Sequence, residues 1–275
     1  MAYRLIALDL DGTLLDSHAQ IRPETIRALQ QARQQGIEII VVTGRHHIAA
    51  YPYHHQLQLS TPAICCNGTY AYDYHARSAV AANPLSKTQM LRILEKIRAH
   101  HIQGLVYVDD AMCYEVADAN IARMRAWADS LPAHVRPTIK QVASFEQLAG
   151  EAKSIWKFLA IKQDETASLD AFLAEIEAEP DLSYEWSGAT RIDITQSENS
   201  KGARLAEWIA TRGIDPSEVI AFGDHRNDMS MLRMAGLGVA MGNSDEVVQS
   251  CAQWVAGTHD TDAIAETLRR FVLSQ

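Results

Sequence analysis

The sequence predicts an α/β protein that has a doubly wound parallel-sheet core and an inserted α+β domain. Short apolar runs alternate with amphipathic segments over residues 1–82, which is typical of a parallel sheet with helices on both faces. The alternation stops near residue 83 and returns at Ser200, so the core is divided in sequence around an insert. We therefore expect a discontinuous core domain of residues 1–82 and 192–275 and an inserted domain of residues 83–191.

Each element of the core is predicted from an apolar run or from a helix signal. The helix that starts at Pro23 has proline at its beginning and Gly36 just past its end, the usual asymmetry of helix termini. A second helix is expected to start near Arg45, and Pro52 is expected to interrupt its pattern. The remaining core helices are expected over 203–211, 228–235 and 263–271. The core strands are expected over 3–8, 37–42, 62–66, 219–222 and 237–241, with a hairpin over 70–74 and 79–81.

The inserted domain mixes helices and strands without a regular alternation. Ser86 opens an amphipathic helix, and Ser144 with Gln147 has the pattern of a capping box. Asp109 and Asp110 are expected to form a turn between two strands. Further helices are expected over 121–127 and 169–176. The strands are expected over 105–108, 112–115, 138–142, 155–161, 182–186 and 191–195.

Composition excludes several classes of function. A formal net charge of −9 argues against a nucleic-acid or anionic-membrane surface, and no stretch is long enough to span a membrane. The first apolar run leads directly into Asp9, so we expect no signal peptide. Adjacent Cys65 and Cys66 lie in an apolar run and favour buried thiols in a reducing cytoplasm. Four helix histidines are expected to be solvated rather than to bind a metal: His46, His47, His54 and His55.

Two carboxylates at the end of the first strand are the most informative feature of the chain. Asp9 and Asp11 would share one side of an extended strand, and Gly12 then lets the backbone turn sharply. Such like charges need a neutralising cation, or one carboxyl group must stay protonated. A hard cation such as Mg²⁺ suits carboxylate ligands and also attracts phosphate oxygens. On these residues alone, a strand that simply ends in an Asp-Gly turn is an equal alternative.

Other strand and helix ends carry side chains that suit phosphate chemistry. Thr43 follows the second strand, Asp224 follows a later strand, and Lys201 opens a helix. Ligands of open α/β sheets bind beyond the carboxyl ends of the strands, so these side chains can converge with Asp9. A lysine in the first turn of a helix is disfavoured by the helix dipole, which favours a functional reason for Lys201.

The residues suggest a division of roles at this sheet edge. Asp9 is expected to be the nucleophile because it comes first, at the rigid end of the strand, and Asp11 is expected to be the general acid and base. Asp224 has the position of a metal ligand, and Asp228 is expected to orient the ligands or a water molecule. Arg45 either contacts substrate or caps the motif. Five residues are expected to hold the phosphoryl oxygens: Thr43, Lys201, Asn227 and, through their amides, Leu10 and Gly44.

The segment Asp9-Leu10-Asp11-Gly12-Thr13-Leu14 resembles the first motif of the haloacid dehalogenase superfamily of phosphatases. The other motifs of that family follow in order, at Thr43, at Lys201 and at residues 223–228. The resemblance implies a Rossmann-like core, an aspartyl-phosphate on Asp9 and a Mg²⁺ ion held by Asp9, Asp11 and Asp224. It adds that Asp11 meets the metal through its backbone carbonyl.

The insert resembles the large cap of the Cof-like subgroup, which implies a lid that excludes water and selects the substrate. The resemblance to members that hydrolyse pyridoxal 5′-phosphate is carried by segments 42–47, 62–70, 107–112 and 142–144. It implies a small phosphorylated metabolite as the substrate, either pyridoxal 5′-phosphate or sugar phosphates. Asp109 and Asp110 are candidate substrate contacts in the cap.

Other functions are weighed against this interpretation. A sugar-phosphate phosphatase that does not act on pyridoxal phosphate is one alternative. A phosphomutase is another, although its acidic motif is longer and richer in glycine than residues 223–228. A dehalogenase would not need the proton donor Asp11. A metabolite-binding protein on a retained fold is disfavoured because every catalytic position is filled.

Overall fold

The computed structural model of the chain describes residues 3–162, 169–188 and 190–273. The helices are α1 Pro23–Gln34, α2 His47–Gln56, α3 Lys87–Ala99, α4 Ala119–Ser130, α5 Phe145–Glu151, α6 Leu169–Glu177, α7 Lys201–Thr211, α8 Met229–Met234, α9 Glu246–Cys251 and α10 Ala263–Leu268. The strands are β1 Leu5–Leu8, β2 Glu38–Val42, β3 Ala63–Cys65, β4 Tyr70–Asp73, β5 Ser78–Ala82, β6 Gln103–Val108, β7 Ala111–Tyr114, β8 Ile139–Gln141, β9 Ile155–Ile161, β10 Leu182–Gly188, β11 Arg191–Gln196, β12 Val219–Gly223, β13 Leu237–Ala240 and β14 Trp254–Val255.

The first sheet has eight strands in the order β14-β13-β12-β1-β2-β3-β4-β5. Its neighbours from β14 to β3 are parallel, and β4 pairs antiparallel with β3. Every residue of β1 and β12 is buried, as expected of parallel strands covered on both faces. The α/β class with a Rossmann-like parallel core is therefore confirmed, and β1 lies at its centre.

The second sheet has six strands in the order β10-β11-β9-β6-β7-β8. Its pairs are antiparallel except for β7 with β8. The predicted helix start at Ser86 is confirmed by a capping box with Gln89. Ser144 forms only half of its predicted box, because Gln147 Nε2 donates to Glu151 at 2.7 Å instead.

The chain divides into two compact units. The first unit comprises Met1–Thr43, Tyr53–Val80 and Ser200–Gln275, and the second comprises Gly44–Pro52 and Ala81–Asn199. The boundary expected at residues 191/192 falls inside β11, which pairs with β10 and β9 in the second sheet. The inserted domain therefore continues past residue 191, where the hydrophobic pattern predicts that the core resumes.

The histidine-rich helix α2 differs from the sequence prediction. Pro52 lies inside α2 rather than interrupting it. His46, His47 and His54 are buried, so the prediction that they are solvated is wrong. His54 shows why burial is tolerated: its Nε2 donates to the carbonyl of Thr61 at 2.7 Å, which satisfies a neutral ring.

Two short elements, α9 and β14, are not predicted from the sequence. β14 has only two residues, Trp254 and Val255, and extends the first sheet beyond β13. Among the residues that the structure describes, no helix is long and apolar enough to cross a membrane.

Candidate active site

Carboxylates gather at the carboxyl ends of β1 and β12. Leu8 pairs with Phe222 in parallel register, and the amide of Asp9 donates to the carbonyl of Phe222 at 3.1 Å. Asp9 therefore lies directly beyond β1, as Asp224 lies directly beyond β12. Carboxylate oxygens of Asp9, Asp224 and Asp228 lie within 4.8 Å of one another. The strand register thus brings together side chains that are far apart in sequence.

Lys201 supplies a positive charge to this cluster. It is the first residue of α7, whose N-cap Ser200 accepts a bond from the third helical amide. Lys201 Nζ donates to Oδ1 of Asp9 and to Oδ1 of Asp228, at 2.6 Å each, and the side chain is 1% exposed. Burial lowers the pKa of Lys201, but the attraction of both carboxylates outweighs burial and raises the pKa above its ordinary value. The ammonium group therefore stays charged.

The cluster has more negative than positive charge. Burial raises the pKa of Asp9 well above its ordinary value, and Asp228 and Asp224 add to the rise against the attraction of Lys201. Burial and then the repulsion of Asp228 raise the pKa of Asp224 to about 7. Full ionisation of the three carboxylates beside one ammonium would leave two surplus negative charges, which is why burial raises these pKa values. Clustered oxygen ligands with that surplus fit a hard divalent cation.

Asp228 has both carboxylate oxygens engaged by the protein. Oδ1 accepts from Lys201, while Oδ2 accepts from the amides of Asp224 and His225 at 3.0 Å each. The side chain is fully buried. Asp228 therefore bonds both the lysine and the backbone after β12.

Asp224 is held by the loop that follows β1. Thr13 Oγ1 donates to Asp224 Oδ1 at 3.0 Å. Asn243 Nδ2 donates to the carbonyl of Gly12 at 2.9 Å and to Asp224 Oδ2 at 3.3 Å. Gly12 has a φ of +77°, and a Cβ there would lie 2.3 Å from Asp224 Oδ2. The predicted sharp turn at Gly12 is confirmed, and only glycine fits beside this carboxylate.

Asp11 takes a different position from the one expected. β1 ends at Leu8, so Asp9 and Asp11 do not share one side of a strand. Asp11 is exposed and forms an isolated bridge with Leu15, and its carboxylate is not one of the three clustered ones. Leu10 is buried between them, and its carbonyl accepts from the amide of Leu15 at 2.9 Å. The side chain of Asp11 thus lies in the turn beyond the strand.

Thr43 and Asn227 are linked through Asn67. Thr43 is buried, and its amide donates to the carbonyl of Ile64 at 2.8 Å. The carbonyl of Thr43 accepts from the amide of Asn67 at 3.1 Å. Asn227 Nδ2 donates to Asn67 Oδ1 at 3.0 Å. A single residue therefore bonds the end of β2 and the loop after β12.

Two of the predicted residues, Gly44 and Arg45, belong to the second unit. The carbonyl of Gly44 accepts from Lys157 Nζ at 2.7 Å. The guanidinium carbon of Arg45 lies 5.3 Å from the ring centroid of Trp127, in a cation–π arrangement. Arg45 Nη1 also donates to the carbonyl of Ala49 at 3.4 Å. Arg45 is therefore held by its own unit.

The two acidic candidates of the insert, Asp109 and Asp110, lie in the turn between β6 and β7 but differ in exposure and in hydrogen-bond partners. Asp109 Oδ1 accepts from the amide of Ser154 at 2.9 Å, and Oδ2 accepts from the amide of Lys153 at 3.2 Å, so this carboxylate stabilises the turn. Asp110 is 79% exposed on its side chain, and its Oδ1 lies 2.9 Å from His47 Nε2. Burial lowers the pKa of His47 to about 4, against the hydrogen bond with Asp110, so the ring is neutral and donates. Asp110 is the more accessible of the two.

Sequence reasoning missed Asn67 and Asn243, which bond predicted site residues. Asn67 follows β3 and Asn243 follows β13. The rule that ligand-binding residues follow parallel strands would have found both, had it been applied to every strand of the core. Thr13 also contributes to the site, because its hydroxyl donates to Asp224, 211 residues away in sequence.

The chain is similar to several known proteins. A profile of haloacid dehalogenase-like hydrolases matches residues 6–268. Pyridoxal phosphate phosphatase YbhA of Escherichia coli (strain K12) is 47% identical over 266 residues, which cover 97% of each chain. A 5-amino-6-(5-phospho-D-ribitylamino)uracil phosphatase of Bacillus subtilis (strain 168) is 28% identical, with the same coverage. The solved structure of a haloacid dehalogenase-like hydrolase from B. subtilis superposes with a TM-score of 0.85 at 27% identity, over 98% of this chain and 100% of that one.

The chain belongs to the haloacid dehalogenase-like hydrolase family. It is a phosphatase, which confirms the enzyme class expected from the sequence. Metal dependence, usually on Mg²⁺, and an aspartyl-phosphate intermediate are typical of this family, and the cluster of Asp9, Asp224 and Asp228 supplies suitable ligands.

Proposed function

We propose that this protein is a Mg²⁺-dependent phosphomonoesterase that uses Asp9 as its nucleophile and hydrolyses pyridoxal 5′-phosphate and sugar phosphates. One observation carries the proposal: a buried strand-end carboxylate is held at 2.6 Å by a buried lysine within a cluster that has surplus negative charge. Such a cluster is costly unless it binds a cation and does chemistry.

The first half of the reaction belongs to Asp9. Lys201 holds Oδ1 and so fixes the rotation of the carboxylate. A carboxylate oxygen attacks phosphorus, the bond to the leaving oxygen breaks, and Asp11 gives that oxygen a proton. The product of this step is an alcohol and an aspartyl-phosphate on Asp9.

The second half returns the enzyme to its starting state. Asp11, now ionised, takes a proton from a water molecule as the water attacks phosphorus. The bond between phosphorus and Asp9 breaks, which releases inorganic phosphate and restores both carboxyl groups. The exposed position of Asp11 in the turn beyond β1 suits a group that exchanges protons with substrate and water.

The metal requirement is supported by the donor set. Asp9 and Asp224 offer carboxylate oxygens, while Asp228 stays with Lys201 and two amides. We assign the backbone carbonyl of Asp11 as a further ligand, as the family resemblance implies. A bound Mg²⁺ would neutralise charge on the cluster and on the phosphoryl group. Thr13 and Asn243 fix the two oxygens of Asp224 and therefore orient this ligand.

The phosphoryl oxygens would be held by polar groups that the sequence motifs place at the ends of strands and at the start of a helix. We assign this role to Thr43, Lys201 and Asn227 and to the amides of Leu10 and Gly44. Oriented amides and a buried ammonium stabilise the charge that develops on a transferring phosphoryl group.

The substrate proposal rests on the relative that is 47% identical over 97% of the chain and is named for pyridoxal phosphate. We assign specificity to the inserted domain, residues Ala81–Asn199 of the second unit, which we name the cap. Within it, Asp110 is a better candidate contact than Asp109, whose carboxylate accepts from two backbone amides. Arg45 is a further candidate contact.

We also propose a cytoplasmic location, since each of the four cysteines is a thiol.

The test is phosphate release from a panel of esters in the presence of Mg²⁺. We expect turnover of pyridoxal 5′-phosphate, together with hexose phosphates and a simple aryl phosphate. No release from any ester would overturn the phosphatase mechanism, whereas hexose phosphate turnover without pyridoxal phosphate turnover would overturn only the substrate. A requirement for a bisphosphate activator, with transfer instead of release, would favour a phosphomutase.

The same panel tests the cap. Asp110→Asn should change the relative kcat/KM values among the larger esters and leave that of the aryl phosphate near wild type. Asp129→Asn, at an exposed position of α4, is the matched control and should change neither. Equal losses on all esters in Asp110→Asn would mean that this side chain does not select substrates.

A further inference from the structure

Residues 66–68, which we call the 66–68 loop, have an unusual backbone next to the proposed site. Cys66, Asn67 and Gly68 have φ values of 49°, 57° and 91°. Residues other than glycine rarely occupy this left-handed region, and two in succession must be stabilised by their surroundings. Backbone strain of this kind concentrates at functional sites.

The surroundings fix the 66–68 loop at each end. The amide and hydroxyl of Thr69 donate to the carbonyl of Cys66 at 3.2 and 2.8 Å. Arg204 Nε, on a buried side chain, donates to the carbonyl of Gly68 at 2.9 Å. A Cβ on Gly68 would lie 2.1 Å from the carbonyl oxygen of Ser200, so the loop packs directly against the start of α7.

Asn67 uses this conformation to bond two different elements. Its amide donates to the carbonyl of Thr43 at 3.1 Å, and its side-chain Oδ1 accepts from Asn227 Nδ2 at 3.0 Å. The side chain of Asn67 is 3% exposed. The left-handed backbone thus directs the amide to the end of β2 while the side chain reaches the loop after β12.

The bond from Asn227 to Asn67 fixes which way the Asn227 amide faces. An acceptor oxygen on Asn67 selects the nitrogen of Asn227, because two facing oxygens would repel. Oδ1 of Asn227 is buried and has no hydrogen-bond partner among the described residues. Asn67 thus bonds the nitrogen side of the Asn227 carboxamide, while its oxygen side has no partner among the described residues.

We infer that Asn67 is a positioning residue for phosphoryl transfer, an inference that rests on the proposed function. Its Oδ1 takes one hydrogen of Asn227 Nδ2 and so directs the second hydrogen, which is the donor assigned to a phosphoryl oxygen. Its backbone amide holds Thr43, the other polar group assigned to the phosphoryl oxygens. Asn67 itself does not touch the reacting atoms.

The first test separates the side chain of Asn67 from its backbone conformation. Asn67→Gly removes the carboxamide and keeps a residue that adopts positive φ freely, whereas Asn67→Ala loses both. We expect kcat/KM for phosphate esters to fall about 10–100-fold in both variants, the usual effect of losing an orienting partner. The unfolding temperature should fall further in Asn67→Ala. Gln58→Gly is a matched control, since Gln58 is exposed and has a φ of 51°, and it should keep the wild-type kcat/KM.

The second test asks whether Asn67 acts through Asn227. If it does, the double variant Asn67→Gly/Asn227→Ala should lose no more kcat/KM than the worse of the two single variants. Two losses that multiply would overturn the inference, as would a wild-type kcat/KM in Asn67→Gly. A wild-type protein that releases no phosphate from any ester would overturn the proposed function, and this inference with it. If the wild type is active and Asn67→Gly keeps the wild-type kcat/KM, the inference is overturned but the proposed function is not.

Discussion

Two buried lysines, one in each unit, differ in how their charge is balanced. Lys201, in the first unit, bonds two of three clustered carboxylates. Lys157, in the second unit, donates to Asp193 Oδ2 at 2.8 Å and to the carbonyl of Gly44 at 2.7 Å. Both lysines are at most 3% exposed. Burial is therefore similar in the two lysines, whereas Lys201 donates to two carboxylates.

The difference distinguishes a structural pair from a reactive cluster. The second oxygen of Asp193 accepts from Ser187 Oγ at 3.1 Å, and Lys157 Nζ lies 4.6 Å from the ring centroid of Tyr107. The positive charge of Lys157 and the negative charge of Asp193 balance each other. The Lys201 cluster retains surplus negative charge, so it favours binding a cation and a reaction that uses that cation. A buried lysine alone is therefore a weak sign of function, and an unbalanced one is a stronger sign.

Substitution of Asp9 tests most directly whether the Lys201 cluster is reactive. Asp9→Asn should abolish turnover, on the order of 10⁴-fold or more, because an amide cannot accept the phosphoryl group. Removing one of several clustered negative charges should leave the free energy of unfolding unchanged or higher. The measurements are phosphate release and urea unfolding. Asp73→Asn is the control, since Asp73 accepts only from two amides of its own turn, and it should keep full activity. Substantial activity in Asp9→Asn would remove Asp9 from the mechanism.

Removal of divalent metal should have nearly as large an effect. Exhaustive EDTA treatment should abolish turnover, and Mg²⁺ should restore it. Ca²⁺ should compete without supporting turnover, since its oxygen bonds are longer, about 2.3–2.6 Å against about 2.0–2.1 Å for Mg²⁺. Mg²⁺ should also raise the unfolding temperature of the wild type but not that of Asp224→Ala. Full activity after EDTA, or an equal stabilisation of both proteins, would contradict the metal site.

Asp11→Asn should slow the reaction without removing the metal. Its side chain lies outside the carboxylate cluster, so the variant should keep the Mg²⁺-dependent rise in unfolding temperature. Loss of a positioned proton donor should lower kcat by a factor on the order of 10²–10⁴. Single-turnover phosphate release measures this step. A normal kcat would exclude Asp11 as general acid, and loss of Mg²⁺ binding would show that its side chain shapes the metal site.

Substitutions in the pair of Lys157 and Asp193 should change the free energy of unfolding. Lys157→Met leaves Asp193 buried and uncompensated, and should lower the free energy of unfolding by about 3–5 kcal/mol. Lys157→Met/Asp193→Leu removes both charges and should recover most of that loss. Urea unfolding of both variants is compared with Lys140→Met, an exposed control that should behave as wild type. An unaltered midpoint in Lys157→Met would mean that the pair contributes nothing to the fold.

The sequence predicts the first unit better than the second, for a physical reason. Asp9, Thr43 and Asp224 directly follow apolar strands and Lys201 opens a helix, so one topological rule predicts their convergence. The pairing of Lys157 with Asp193 depends on the register of β9 against β11, which no local pattern carries. The burial of His47 and His54 depends in the same way on what packs over α2. Side chains at strand ends are predictable, whereas partners chosen by tertiary packing are not.

The smallest expected effect concerns pH, and it again compares the two units. Burial lowers the pKa of His54 in the first unit and lowers that of His47 in the second to about 4. In the unfolded chain these rings take up a proton near the ordinary value of about 6.5, while the folded rings stay neutral. The unfolded state therefore binds more protons below that pH, and the free energy of unfolding falls as the pH drops from about 6.5 towards about 4.

For His47 alone, the loss is about 2 kcal/mol at pH 5, because each pH unit below the unfolded pKa costs about 1.4 kcal/mol. His54→Gln keeps a donor for the carbonyl of Thr61 and removes the titration, so the unfolding free energy should depend less on pH between 7 and 5. His55→Gln, the exposed neighbour, should keep the wild-type dependence. The measurement is the urea midpoint across that range. An equal pH dependence in all three proteins would mean that His54 is protonated within the folded first unit, and the acid sensitivity would then be assigned to the second unit.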